Sequence, residues 1–83
     1  MKKIGVFKLG GRGKTIRLGV VSFDGKKVKF DGFTTAGGRN VKAGLVRGFK
    51  VSDVAYSLTD GQKYVDALPR YLHGDYLWAE EVR

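Results

Sequence analysis

The sequence predicts an α+β domain: a mainly antiparallel sheet of about five strands, one C-terminal helix over residues about 60–73, and a final strand. Three observations predict it. Eleven of the thirteen glycines fall before residue 50, between short β-branched and aromatic runs, which is the texture of strands and tight turns. Asp24-Gly25 stands between two apolar runs as a favoured hairpin turn. Tyr64, Val65, Leu68, Tyr71 and Leu72 recur at helical spacing. A small SH3-like or OB-like barrel is the alternative architecture.

Lys3 to Leu9 is the first strand, and Gly10-Gly11-Arg12-Gly13 a turn that glycine permits. Thr15 to Phe23 is the strongest strand, with Ile16, Leu18, Val20, Val21 and Phe23. Lys27 to Phe30 returns as the third, closing a meander that ends at Asp31-Gly32. A two-residue turn would pair Val21 with Val28 and Gly19 with Phe30. Val21, Phe23, Val28 and Phe30 then share one face, and Ile16, Leu18 and Val20 the other. A strand apolar on both sides asks for a closed barrel or a partner, such as a second copy of the chain.

Ala36 to Asn40 reads as a loop, Val41 to Val46 as a short helix or strand, and Phe49 to Leu58 as a strand. Thr59-Asp60-Gly61-Gln62 fits a capping box ahead of the helix, with Asp60 suited to the positive end of the dipole. Pro69 predicts a kink or a terminal 3₁₀ turn, and Gly74 a stop. Tyr76 to Val82 is the last strand, with Trp78 expected to be largely buried.

Eighty-three residues make one domain, 1–83. A chain this short needs a compact core, and five Phe, four Tyr and one Trp can supply it. The chain has no cysteine, which excludes disulfides, thiolate metal sites and cysteine nucleophiles. Together with Lys8 breaking the apolar opening, this points to the cytoplasm. No apolar run approaches a membrane span. Charge is divided unevenly. Residues 1–50 hold nine Lys and four Arg against Asp24 and Asp31, whereas the remainder carries a net negative charge. Such polarity suggests an anionic partner, although a basic balance also serves solubility alone.

No motif fixes a chemistry. Gly10-Gly11-Arg12-Gly13-Lys14-Thr15 resembles the end of a phosphate-binding loop, but Lys8 stands where that motif needs glycine and a strand follows where it needs a helix. Arg47-Gly48-Phe49 opens like an aromatic RNA-binding strand, then departs at Lys50 and Val51. His73 is the only histidine and lacks a nucleophile or an orienting partner. Glu80 and Glu81 would point to opposite sides of a strand. No enzyme activity, metal or cofactor is expected.

Asp60-Gly61, Tyr64, Leu68-Pro69, Gly74, Tyr76-Leu77 and Ala79 resemble an ending shared by small uncharacterised prokaryotic proteins. The resemblance covers only part of the C-terminal third and implies no function.

The expectation is therefore a small basic binding module that holds RNA or DNA with low sequence specificity through backbone phosphates. Lys8, Arg12, Lys14, Arg17, Lys27, Lys29, Arg39 and Lys42 are the candidate contacts. Phe33 sits in a loop-like stretch and is the aromatic most expected outside the core. The rival expectation is a protein-interaction or assembly module, including a homodimer, that uses an apolar sheet face. Neither reading involves a membrane.

Overall fold

Alternating apolar residues at Ile4 and Val6, answered by Val21 and Phe23, give the sheet its buried side. The structure, a computed structural model, describes residues 2–51 and 58–82, with side-chain surroundings for 2–47 and 61–82. The order is β1 (Lys3–Leu9), a 3₁₀ turn (Gly11–Gly13), β2 (Thr15–Phe23), β3 (Val28–Gly32), α1 (Ala36–Val51), α2 (Leu58–Tyr71) and β4 (Leu77–Val82). The strands form one antiparallel sheet in the order β3-β2-β1-β4. Among the described residues the sheet is open, with β3 and β4 as its edges, and does not close into a barrel.

The α+β class stands, with corrections. The described residues hold a sheet of four strands rather than about five, and two helices rather than one. Of the strand expected over 49–58, residues 49–51 lie in α1 and Leu58 in α2, while 52–57 lie outside the described residues. Ala36 to Asn40 is the opening of α1, not a loop. Thr35 starts that helix: its Oγ1 accepts the Gly38 N–H at 2.9 Å and its carbonyl the Arg39 N–H at 2.8 Å. Val41 and Leu45, one turn apart, pack on the core.

The β2–β3 connection is longer than two residues. Phe23 pairs with Val28 and Val21 with Phe30, leaving 24–27 as the loop. The Asp24 carboxylate accepts the N–H groups of Lys26 and Lys27 at 2.8 and 2.9 Å. The pairing thus differs by two residues from the expected one. An even shift preserves the faces, so Val21, Phe23, Val28 and Phe30 do share a side.

The other face of β2 differs from expectation because of a bulge. Val6 pairs with Gly19 but Phe7 with Arg17, so Leu18 is the extra residue. Leu18 is buried in the core, Val20 is half-buried, and Ile16 is exposed. The bulge removes the continuous apolar second face that asked for barrel closure.

Both helices pack on the Ile4–Val6 side. One core joins Ile4, Val6, Val21 and Phe23 to Tyr64, Val65 and Leu68 of α2, and includes Phe33 and Ala79. The Tyr64 hydroxyl donates to the Leu45 carbonyl at 2.7 Å, tying α2 to α1. Phe33 corrects another expectation, being only 2% exposed. Its N–H donates to the Leu18 carbonyl at 2.7 Å, and its φ of 55° turns the chain out of β3 towards α1.

Helix α2 begins at Leu58, so Thr59 is inside the helix rather than ahead of it. Gln62 Nε2 donates forward to Asp66 Oδ1 at 2.9 Å, which is not a capping-box contact. The helix runs through Pro69 to Tyr71, and the Leu72 N–H still reaches the Leu68 carbonyl at 2.8 Å. Proline in the last turn breaks only the bond to Val65, which explains why the helix does not end there. Gly74 belongs to the turn after it, where its N–H bonds the Leu77 carbonyl at 3.0 Å.

Candidate nucleic-acid interface

Alternation along β1 puts Lys3, Gly5, Phe7 and Leu9 on the side away from Ile4 and Val6. Register adds their partners to this outer face: Val82, Glu80 and Trp78 from β4, and Ser22, Val20, Arg17 and Thr15 from β2. Lys29 and Asp31 of β3 pair with Ser22 and Val20 and lie on the same side. Neither helix packs here among the described residues, because both contribute to the core on the opposite face.

Phe7 and Trp78 stack on the outer face, with ring centroids 6.1 Å apart and planes at 20°. Gly5 makes this possible: a Cβ there would stand 2.8 Å from the Phe7 ring and 2.9 Å from Val82 Cγ1. Trp78 is mostly covered without being part of the core cluster, in keeping with the burial its sequence context suggested. Leu9 is exposed, and its N–H donates to the Tyr76 carbonyl at 3.0 Å, which sets Tyr76, 74% exposed, at the same end of the sheet.

The eight candidate cations fall into three places. Lys8, Arg12, Lys14 and Arg17 belong to the far part of the β1–β2 hairpin. Arg12 sits at the tip with φ 61°, closed by the Gly10 N–H to Lys14 carbonyl bond at 2.7 Å. Lys8 is half-buried, with its Nζ 3.7 Å from where a Gly37 Cβ would be, beside the start of α1. Arg17 is directly opposite Phe7 in register.

Arg39 and Lys42 lie on α1 with Arg47, all three lining an open groove of about 840 Å³ together with Phe33, Ala43 and Val46. Arg47 is absent from the sequence-based set. Its spacing from Arg39, two steps of four through Ala43, would have revealed it once the segment was taken as a helix. Lys27 and Lys29 are at the opposite end of β2, around the β2–β3 loop. Lys29 Nζ is 3.4 Å from Asp24 Oδ2, so its charge is partly answered within the fold. The cations therefore do not make one continuous patch. The hairpin end and α1 hold six of the eight candidates, all but Lys27 and Lys29.

Among the described residues the ion pairs are Lys29–Asp24 and Lys2–Asp66. Arg12, Lys14, Arg17, Arg39 and Lys42 are exposed and lack an acidic partner among those residues. Asp24 titrates low, at about 2. The Lys27 and Lys26 N–H groups, in that order, favour its charged form. Phe7 is one of five phenylalanines interleaved with the N-terminal cations, but its partnership with Trp78 is not legible in the sequence because their common face depends on the β1–β4 pairing, between strands far apart in the chain.

No described helix is long and apolar enough to cross a membrane. Among the described residues no group of three or more His, Asp or Glu is arranged to hold a metal ion. Comparison with protein-family models, curated proteins and solved structures gave no match.

Proposed function

We propose that this domain binds nucleic acid with low sequence specificity, mainly through backbone phosphates held by Arg12, Lys14, Arg17, Arg39 and Lys42. The observation that carries this reading is the state of Arg12. It is exposed at the hairpin tip in a left-handed conformation that glycine would adopt freely. A non-glycine residue there costs roughly 1 kcal/mol. Local strain at an exposed arginine is what a ligand-binding tip retains and a merely solubilising charge does not need. The neighbouring cations without acidic partners add to it. The cysteine-free sequence supports a cytoplasmic setting.

Fluorescence anisotropy with random RNA and DNA tests the reading. Arg12→Gly should raise stability and weaken binding together, whereas a solubilising role predicts only the first. Replacing Arg12, Lys14 and Arg39 by Ala should weaken binding to all sequences alike. The slope of log affinity against log salt should also become shallower, by nearly one unit for every duplex DNA phosphate that the variant leaves unneutralised. Failure to bind either nucleic acid more tightly than about 100 μM at physiological salt would end the proposal.

The rival is a protein-interaction or homodimer surface on the outer sheet face, favoured by half-buried Val20 and Val82. It predicts self-association or partner binding that is nearly insensitive to salt, read by sedimentation.

A further inference from the structure

We infer that the outer sheet face is a stacking platform for unpaired bases, which makes the ligand a single strand rather than a duplex. The inference rests on the nucleic-acid reading above and adds a site to it. A small domain has every reason to put its largest aromatics into its core, yet Trp78 and Phe7 stack with each other on the face no described helix covers. Tyr76 and Leu9 extend the same end of the sheet and are exposed. Bases are flat and apolar on their faces, and an aromatic platform accepts any of them, in keeping with low specificity. In a duplex those faces are already stacked on neighbouring pairs and cannot reach a protein ring.

The charges set the direction of the strand. Arg17 lies across from Phe7, and Lys14 and Arg12 follow on the same hairpin. Glu80 is opposite Gly5 and Asp31 opposite Val20, and they share the half of the face away from the hairpin tip with Lys3 and Lys29, so charge there is mixed, whereas the β1–β2 hairpin end carries Arg17, Lys14 and Arg12 and no acid. A strand laid over Trp78 and Phe7 therefore directs its phosphates towards Arg17 and the tip, where attraction is met, and away from Glu80. This charge complementarity favours nucleic acid over an acidic or neutral protein as the occupant.

Trp78 is the only tryptophan in the chain, so it reports directly on its own site. The unmodified protein is titrated with single-stranded oligo(dT) and oligo(U) of about twelve nucleotides, a length within the usual range for one small domain, and with a duplex of the same length. Binding is followed in parallel by anisotropy and by indole emission. The expected result is quenching of Trp78 that saturates along the anisotropy curve, with the single strand bound at least about fivefold tighter than the duplex. Phe7→Leu keeps a β-compatible apolar residue over Gly5 and should weaken single-strand binding about tenfold with little effect on the duplex. Arg17→Ala, an exposed change, should make the single-strand salt slope shallower. Binding with unchanged Trp78 emission, or equal affinity for duplex and single strand, would overturn the platform and leave the phosphate-binding proposal standing. Absence of binding to every probe would remove both.

Discussion

The ring of Phe33 occupies the space where a side chain on Gly19 would be: a Cβ there would lie 2.3 Å from Phe33 Cδ2. The two residues define the corner where the meander passes to α1, since Gly19 pairs with Gly32 and Phe33 bonds the Leu18 carbonyl. Gly19→Ala should therefore be destabilising by about 1–3 kcal/mol through overpacking, although alanine normally suits a strand as well as glycine does. Phe33→Ala should cost about 3–5 kcal/mol by leaving a cavity. Urea denaturation of both variants checks this. A neutral Gly19→Ala would mean that the ring has room to move aside.

Two helical glycines should respond in opposite ways. Gly44 in α1 is exposed, and a Cβ there would meet nothing within 4 Å. Gly44→Ala should stabilise by about 0.5–1 kcal/mol. Gly61 in α2 is buried against Phe23, where a Cβ would come within 2.5 Å of the ring. Gly61→Ala should destabilise despite the same gain in helix propensity. Thermal midpoints of the pair, measured side by side, separate propensity from packing.

The start of α1 rests on Thr35, whose Oγ1 holds the Gly38 N–H. Thr35→Ala should cost about 1 kcal/mol, and Thr35→Asp should retain most of the stability because aspartate also caps well. Circular dichroism during denaturant unfolding reads both. Equal stability of Thr35→Ala and the parent would place the cap elsewhere.

Stability should fall at both ends of the pH range for identifiable reasons. Asp24 is held charged by two backbone N–H groups and titrates at about 2 against an ordinary value of 3.8. A depressed carboxylate stabilises above its unfolded value, and that contribution fades as pH falls from 3.8 through 2. Asp24→Asn keeps an acceptor in the loop and should remove this part of the acid dependence. Tyr64 goes the other way: burial, then the nearby Tyr71, pushes it from 10.0 up to about 12. Its contribution is complete below pH 10 and is lost as pH rises through 12. Tyr64→Phe should flatten that alkaline loss and cost about 1 kcal/mol at neutral pH with the bond to Leu45. Thermal midpoints against pH test both signs.

The four strands of the sheet, the C-terminal helix and the shared side of Val21, Phe23, Val28 and Phe30 were legible because period-two and helical apolar patterns act locally, whereas the mixed periodicity over 49–58 pointed to a strand where the described ends are helical. Helix α1 was not. Gly37, Gly38, Gly44 and Gly48 lower its intrinsic propensity, and its formation depends on Val41 and Leu45 meeting a core assembled elsewhere. The bulge at Leu18 was hidden for a related reason, since only pairing with β1 reveals an extra residue. Phe33 read as a loop aromatic because nothing local announces a phenylalanine at positive φ. Of the candidate site, the cations could be named from the sequence, but their separation into a hairpin group, an α1 group and the Lys27–Lys29 end could not.

Strand β1 sits inside the sheet, yet its two neighbours arrive from very different distances along the chain: β2 follows after a short turn, whereas β4 comes only after both helices. The β1–β2–β3 meander can form early from local contacts, while the β1–β4 ladder must wait for a long loop to close. Until then β1 presents a bare edge, able to pair with a second chain. The aromatic stack spans that last seam. A ligand resting on it would hold shut the seam between β1 and β4, slowing its opening and lowering the population of the exposed edge. Occupancy would then protect the chain from aggregation as well as serve recognition.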